Sequence, residues 1–319
     1  MIVVTGAAGF IGSCLVAHLN RQGMDEILAV DVLRKNDKWK NLRNLRYVDY
    51  LDRSQLFDYL AKANNIEAIL HMGACSATTE TDTAYLMENN YRYTLNLARY
   101  CLDRDIRFIY ASSAATYGDG SAGYDDEGDM HSLQPMNMYG YSKQAFDQKA
   151  VREGWLEKIV GLKFFNVYGP NEYHKGDMAS VVFKAFNQIH DHGHVRLFKS
   201  HRPDYKDGEQ KRDFVYVLDA VGVIIYFLQN TRLSGLYNVG SGRARTFNDL
   251  AKATFRAMNL APRIQYIDMP ESIRDRYQYF TEAKMDKLKN SGFTRPFHSL
   301  EEGITDYVQN FLMKNFRHY

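Results

Sequence analysis

The chain has 319 residues and a 45% hydrophobic content, long enough for one large domain or two unequal ones and able to fill a sizeable core. Its 40 Lys plus Arg against 38 Asp plus Glu leave a formal +2, which removes any global electrostatic reason to bind nucleic acid or a membrane surface. Cys14, Cys75 and Cys101 are odd in number, lack metal-ligand spacing and sit in apolar or helical-looking runs, so neither a disulfide framework nor a metal site is expected. A reducing cytoplasm fits best: the chain enters an apolar run at Ile2 without a basic leader, and no 18-residue apolar run follows.

In chain order, residues 2–5, 27–32, 46–48, 68–72 and 107–112 read as strands with amphipathic helical patterns between them. Parallel strands need long crossovers, and those crossovers cover both sheet faces, so this alternation predicts an α/β fold with a doubly wound, Rossmann-type parallel sheet. Beyond Gly169-Pro170 the pattern becomes irregular, with a charge-rich stretch at 199–213 and turn signals at Gly235, Gly240 and Gly242. The expected division is a dinucleotide-binding domain over 1–168 and a smaller, partly interleaved C-terminal substrate region over 169–319. Residues 300–311 read as a closing helix.

Directly after the first strand comes Thr5-Gly6-Ala7-Ala8-Gly9-Phe10-Ile11-Gly12, leading into a helical pattern. Gly6, Gly9 and Gly12 in this setting permit a tight turn, close approach of backbone N–H groups to a pyrophosphate, and close helix packing. The helix N-terminus adds roughly half a positive charge. Asp31, about 20 residues further on at the end of the second strand, is placed to accept from ribose hydroxyls and alone favours NAD. Arg34, Lys35, Lys38 and Lys40 follow it, and a cation there would pair with a 2′-phosphate and favour NADP.

Tyr139 and Lys143 are four residues apart at the start of a predicted helix after Pro135, which puts both on one helical face. An unperturbed phenol titrates at about 10, so a nearby ammonium and an oxidised nicotinamide are needed to make this tyrosine a base near neutral pH. It would take a hydroxyl proton while hydride leaves the same carbon. Upstream, residues 111–118 read Ala-Ser-Ser-Ala-Ala-Thr-Tyr-Gly at a strand end. Ser113 is the expected hydroxyl for orienting a substrate oxygen, with Ser112 or Thr116 as the fallback.

These features resemble the extended short-chain dehydrogenase/reductases over almost the whole length. Met72-Gly73-Ala74-Cys75-Ser76, the 111–118 cluster, Tyr139-Gly-Tyr-Ser-Lys143, Phe165-Asn166-Val167-Tyr168-Gly169-Pro170, His174-Lys175-Gly176-Asp177-Met178-Ala179-Ser180 and Lys211-Arg212-Asp213-Phe214 narrow the likeness to the ADP-L-glycero-D-manno-heptose 6-epimerase family. That resemblance implies oxidation at carbon 6 and hydride return to the opposite face, using tightly bound NADP, or NAD, in supply of heptose for lipopolysaccharide core. It places Tyr139 and Lys175 as the two bases, with Lys143 and Ser113 beside them. Inversion needs proton transfer on both faces, which is a physical reason for a second base. Read from the residues alone, His174-Lys175 is a surface loop.

By the same resemblance Phe10, Ile11, Asp31, Lys38, Arg53, Met72, Gly73, Ala74, Cys75, Ser76, Asn89, Lys143 and Val167 fall at cofactor positions. Asn166, Asp177, Lys184, Phe198, Arg212 and Tyr277 fall at substrate positions. Arg212 has its own rationale, since a planar, always charged guanidinium suits a diphosphate. Met72, Asp177, Lys184 and Arg53 depart from the residues common in the family, and the stretch 203–208 lengthens the nucleotide-facing loop. A carboxylate at Asp177 would repel a diphosphate, which opens the identity of the nucleotide. A 4,6-dehydratase is disfavoured because Ala114 and Ala115 stand where it needs acids. The rival readings are a UDP-hexose 4-epimerase and a non-catalytic NADP-sensing Rossmann protein. The expected partner is a small nucleotide sugar, and a homo-oligomer is expected as in the family.

Overall fold

The computed structural model of the protein describes residues 1–274 and 277–319. Its strands are β1 (Ile2–Thr5), β2 (Ile27–Asp31), β3 (Asp49–Asp52), β4 (Ala68–His71), β5 (Arg107–Ser113), β6 (Val160–Phe164), β7 (Asn166–Tyr168), β8 (Val195–Phe198), β9 (Lys211–Tyr216), β10 (Gly235–Val239), β11 (Ala244–Thr246) and β12 (Ile264–Ile267). Seven of them form one sheet in the order β10-β6-β5-β4-β1-β2-β3, with every neighbouring pair parallel. The order reverses at β1, so a crevice opens beyond the carboxyl ends of β1 and β4, where doubly wound sheets bind ligands.

Successive residues of these strands point to opposite faces, and both faces are covered. Val4, Ala29, Leu70 and Ile109 pack into one core with Leu15, Leu19, Val221 and Ile224. Val3, Leu28, Ile69 and Phe108 pack into another with Leu95, Leu97 and Phe146. The central strands are therefore near-continuous apolar runs, which made them readable from the sequence. The expectation for the third strand was misplaced. Residues 46–48 lead into it, and the strand is β3, whose Asp49-Tyr50-Leu51-Asp52 is only partly buried at the sheet edge and so carries no apolar run.

From β7 onward the chain builds a three-stranded sheet β11-β9-β7 and a parallel pair β12-β8. It also returns to the main sheet: β10 pairs with β6, and the helix Val217–Gln229 packs on Phe10–Arg21. The closing helix is Leu300–Asn310, opened by a capping box in which Ser299 and Glu302 exchange bonds. Among the described residues, no helix is long and apolar enough to cross a membrane.

One buried ion pair sits beneath the carboxyl end of β5. Lys163 of β6 lies 2.9 Å from Asp147, with side chains 1% and 0% exposed. Asp147 also accepts from the Tyr110 and Ser112 hydroxyls, and Lys163 donates to Thr116 Oγ1 at 2.6 Å. Lys163→Met should therefore cost about 3–5 kcal/mol, because Asp147 is left charged and uncompensated. Urea unfolding measures this, and Lys163→Met with Asp147→Leu should lose less than the single variant.

Candidate functional site

The turn after β1 is built from missing side chains. Gly6 has φ +69°, and a Cβ on it would stand 2.7 Å from the Cα of Gly73, which follows β4. A Cβ on Gly12 would stand 2.0 Å from the Gly6 carbonyl oxygen. The turn closes by the Gly9 N–H donating to Gly6 at 2.9 Å, and the helix Phe10–Arg21 starts with its N-terminus at the crevice. A buried relay braces it. The Thr94 hydroxyl donates to the Asn90 carbonyl (2.6 Å), so His71 Nε2–H donates to Thr94 (2.9 Å) and His71 Nδ1 accepts from Thr5 (2.6 Å). Burial pulls the His71 pKa down to about 3, with Lys143 adding to the effect, so this imidazole is neutral.

A cleft of about 620 Å³ runs from this turn. Gly6, Gly9, Phe10, Ile11, Gly12, Asp31, Lys38, Arg53, Met72, Gly73, Ala74, Ser76, Asn89 and Val167 line it, whereas Cys75 does not. Asn90 holds the Cys75 backbone instead, accepting from its N–H at 2.8 Å and donating to its carbonyl at 3.0 Å. Asn89 Oδ1 is buried with no partner. Asn89 lies on a π-helical turn, Met87–Arg92, the kind of irregularity that collects at functional sites. The Asp31 carboxylate is already occupied: it accepts from the Ala8 N–H (2.8 Å) and the Val32 N–H (2.6 Å), and pairs with the Lys38 ammonium.

At the far end of the crevice, Ser113 closes β5 and Tyr139 and Lys143 project from the helix Met138–Arg152. Asn137 caps that helix by accepting from the Gly140 N–H at 2.8 Å. Gly140 lets the helix approach β5, since a Cβ there would lie 2.7 Å from the Ala115 carbonyl oxygen. Burial raises the Tyr139 pKa, and a hydrogen bond with Ser113 opposes the rise. Lys143 is 4% exposed and donates to the Ala111 carbonyl at 2.8 Å. Burial lowers its pKa to about 8 against the attraction of Asp147. The two side chains share the cleft as their spacing predicts, but the ammonium is bonded to the β5 backbone and not to the phenol. Ser112 is withdrawn to Asp147, and Thr116 bonds the Ser113 carbonyl at 2.8 Å.

The loop carrying Lys175 has its two ends tied together. Glu172, fully buried, accepts from the Gly169 N–H (3.2 Å), the Ser180 N–H (2.6 Å) and the Ser180 hydroxyl (2.7 Å). Ser180 also caps the helix Val181–His192. Between these ends Lys175 lies at the cleft with its ammonium 5.2 Å from the Phe10 ring centroid. Burial lowers its pKa, and Glu172 opposes the fall. Residues 174–175, a surface loop by pattern alone, thus form a cleft wall.

Arg212 is 8% exposed and lines the same cleft, its guanidinium 5.2 Å from the Tyr277 ring and 5.7 Å from the Phe247 ring. Asn166 lines the cleft as well. Asp177, Lys184, Phe198 and Tyr277 do not. Asp177 is exposed, and Lys184 spends its ammonium on the Asp177 carbonyl at 2.6 Å. Phe198 and Tyr277 meet edge to face behind Arg212, their centroids 6.2 Å apart. His71, Asn90, Asp147, Lys163 and Glu172 support the site without having been singled out by sequence. The one local signal for any of them is that Asp147 follows Lys143 by four residues and so shares its helical face.

Residues 2–240 match the family described as NAD dependent epimerase/dehydratase. The chain is 56% identical to ADP-L-glycero-D-manno-heptose-6-epimerase of Nitratidesulfovibrio vulgaris, over 98% of each chain. The crystal structure of Helicobacter pylori ADP-L-glycero-D-manno-heptose-6-epimerase superposes with a TM-score of 0.83 at 28% identity, covering 97% of this chain and 95% of that one. Thermus thermophilus UDP-glucose 4-epimerase, solved with NAD, does so with a TM-score of 0.76 at 27% identity, covering 96% and 97%. With its parallel seven-stranded sheet, glycine turn and cleft, the chain belongs to the NAD dependent epimerase/dehydratase family, groups there with the ADP-L-glycero-D-manno-heptose-6-epimerases, and is an enzyme of the isomerase class.

Proposed function

We propose that the protein interconverts the carbon-6 epimers of ADP-glycero-manno-heptose with a resident NADP, and that this supplies heptose for lipopolysaccharide core. The observation that carries this reading is that two proton-transfer groups from separate elements, Tyr139 and Lys175, line one cleft with a glycine phosphate turn. A hexose 4-epimerase needs only the first of them.

The residues present fit a dinucleotide. Gly6, Gly12 and Gly73 let the backbone close on itself so that the helix Phe10–Arg21 starts at the cleft, and the buried Asn89 Oδ1 has no partner among the described residues. Bound NADP would supply a hydride acceptor for carbon 6 of the substrate and, when oxidised, a positive charge that favours a tyrosinate. The Lys38 ammonium on Asp31 supports NADP over NAD, because it offsets the carboxylate's charge while Arg34, Lys38 and Arg53 face the cleft. Tyr139 takes the proton of the substrate hydroxyl, Ser113 orients that oxygen, and Lys143 keeps positive charge near both. Lys175 transfers the proton on the other face of the sugar ketone. Burial lowers its pKa, which makes it a readier proton donor than a free lysine. Arg212 grips the diphosphate. The outward place of Asp177 is compatible with a diphosphate, since its carboxylate stands clear of the cleft.

Tyr139→Phe and Lys175→Met should each lower epimerisation by about 10²–10⁴-fold, the usual contribution of one acid–base group. Each should spare the half-reaction on one epimer, followed by the absorbance of the reduced cofactor. Full turnover by the Lys175 variant would return that residue to a surface role.

Lys38→Ala should weaken NADP by about tenfold or more, the loss of one charge-assisted bond, and change NAD far less. Calorimetric titration of both dinucleotides, with mass spectrometry of the co-purified one, checks this. Equal effects on both would assign Lys38 to Asp31 alone.

Lys143 has its pKa lowered to about 8, so it is cationic below that pH and loses its proton above it. If its charge is needed, kcat/KM falls as pH rises through about 8. Lys143→Arg carries a guanidinium that stays charged, so this descending limb should vanish from its pH profile. An unchanged limb would assign the titration to another group.

A further inference from the structure

Asn41 ends the turn Asp37–Asn41 that carries Lys38, is 1% exposed, and is shared by four stretches of the chain. Its amide nitrogen donates to the Ala8 carbonyl in the glycine turn (2.9 Å) and to the Asn171 carbonyl at the foot of the Lys175 loop (3.0 Å). The same nitrogen lies 3.4 Å from His174 Nδ1, beside Lys175. Two amide hydrogens are thus committed to two carbonyls, and the imidazole shares one of them. Asn41 Oδ1 lies 2.7 Å from His318 Nδ1. An amide oxygen only accepts, so His318 carries a proton on Nδ1.

The chain around His318 binds the same surroundings a second time. The Tyr319 N–H donates to Asn171 Oδ1 (3.3 Å), Asn44 donates to the Tyr319 backbone oxygen (3.1 Å), and the Tyr173 hydroxyl donates to the Arg317 carbonyl (2.8 Å). The Tyr319 ring lies under the Arg21 guanidinium at 4.7 Å. Residues 317–319 therefore strap the Lys38 turn to the Lys175 loop, which are some 130 residues apart in sequence.

We infer that Asn41 is a positioning residue, locked by His318, that sets the Lys38 turn and the Lys175 loop in one register, so that the cofactor grip and the second base are placed together. A buried amide with both ends satisfied has one arrangement that satisfies it, and that is what couples the two loops. The inference rests on the roles proposed above for Lys38 and Lys175.

The test uses the full chain with His318→Ala, Asn41→Ala and the conservative His318→Asn, whose amide can occupy the place of Nδ1. Hydrogen exchange of residues 37–41 and 171–178 is followed without cofactor, beside NADP titration, kcat and thermal melting. His318→Ala should speed exchange in both segments together, weaken NADP about tenfold and lower kcat, and His318→Asn should restore all three. Wild-type exchange and NADP affinity in His318→Ala would overturn the inference. So would a lower melting temperature with local exchange and affinity unchanged, which is what a purely structural tail gives. Should Asn41→Ala fail to fold, the His318 pair still decides. A failure of the epimerase reading would appear separately, as full activity of Lys175→Met, while the coupling still stands or falls on exchange in the cofactor-free protein.

Discussion

Between the ends of β1 and β4 main chain meets main chain, and no side chain fits there. With Gly6 pressed on Gly73 and Gly12 pressed on the Gly6 carbonyl, the helix Phe10–Arg21 is drawn down until its free N–H groups face the crevice. Everything else in the site is measured from that contact. The Thr5–His71–Thr94 relay fixes the two strand ends laterally, Ala8 anchors both Asp31 and Asn41, and Phe10 offers its ring to Lys175. A methyl group at Gly12 would have to displace backbone, which no rotamer change relieves.

Burial outweighs pairing at the three titratable side chains Tyr139, Lys143 and Lys175 of the cleft. Lys143 lies near Asp147 and Lys175 near Glu172, yet both have lowered pKa values because desolvation is the larger effect. Tyr139 is raised for the same reason. The cleft therefore disfavours charge on all three groups. The ion pairs are set one layer back: Asp147 with Lys163 under β5, and Asp31 with Lys38 at the end of β2.

What could be read from the sequence had a local signature. The glycine turn, the central strands and the Tyr139–Lys143 face all follow from spacing within a dozen residues. The supporting layer has no such signature. Asp147 finds Lys163 across 16 residues and Ser112 across 35, and Asn41 finds Asn171 across 130. A lone Asp or Asn in a helix or turn reads as a solvated residue until the fold brings its partner. β3 was misplaced because an edge strand needs no apolar run, and Asp177 looked repulsive only because its loop direction is set by Glu172 and Gly176, not by its own chemistry.

Glu172 ties the Gly169 and Ser180 ends of its loop to each other as well as to the core. Changes of length or sequence between those ends have little mechanical route into β7 or into the helix Val181–His192. Tyr139 and Lys175 thereby line one cleft from mechanically separate parts. The tied loop is a cassette: what stands between its ends can be exchanged while the sheet, the glycine turn and the helix Met138–Arg152 keep their places.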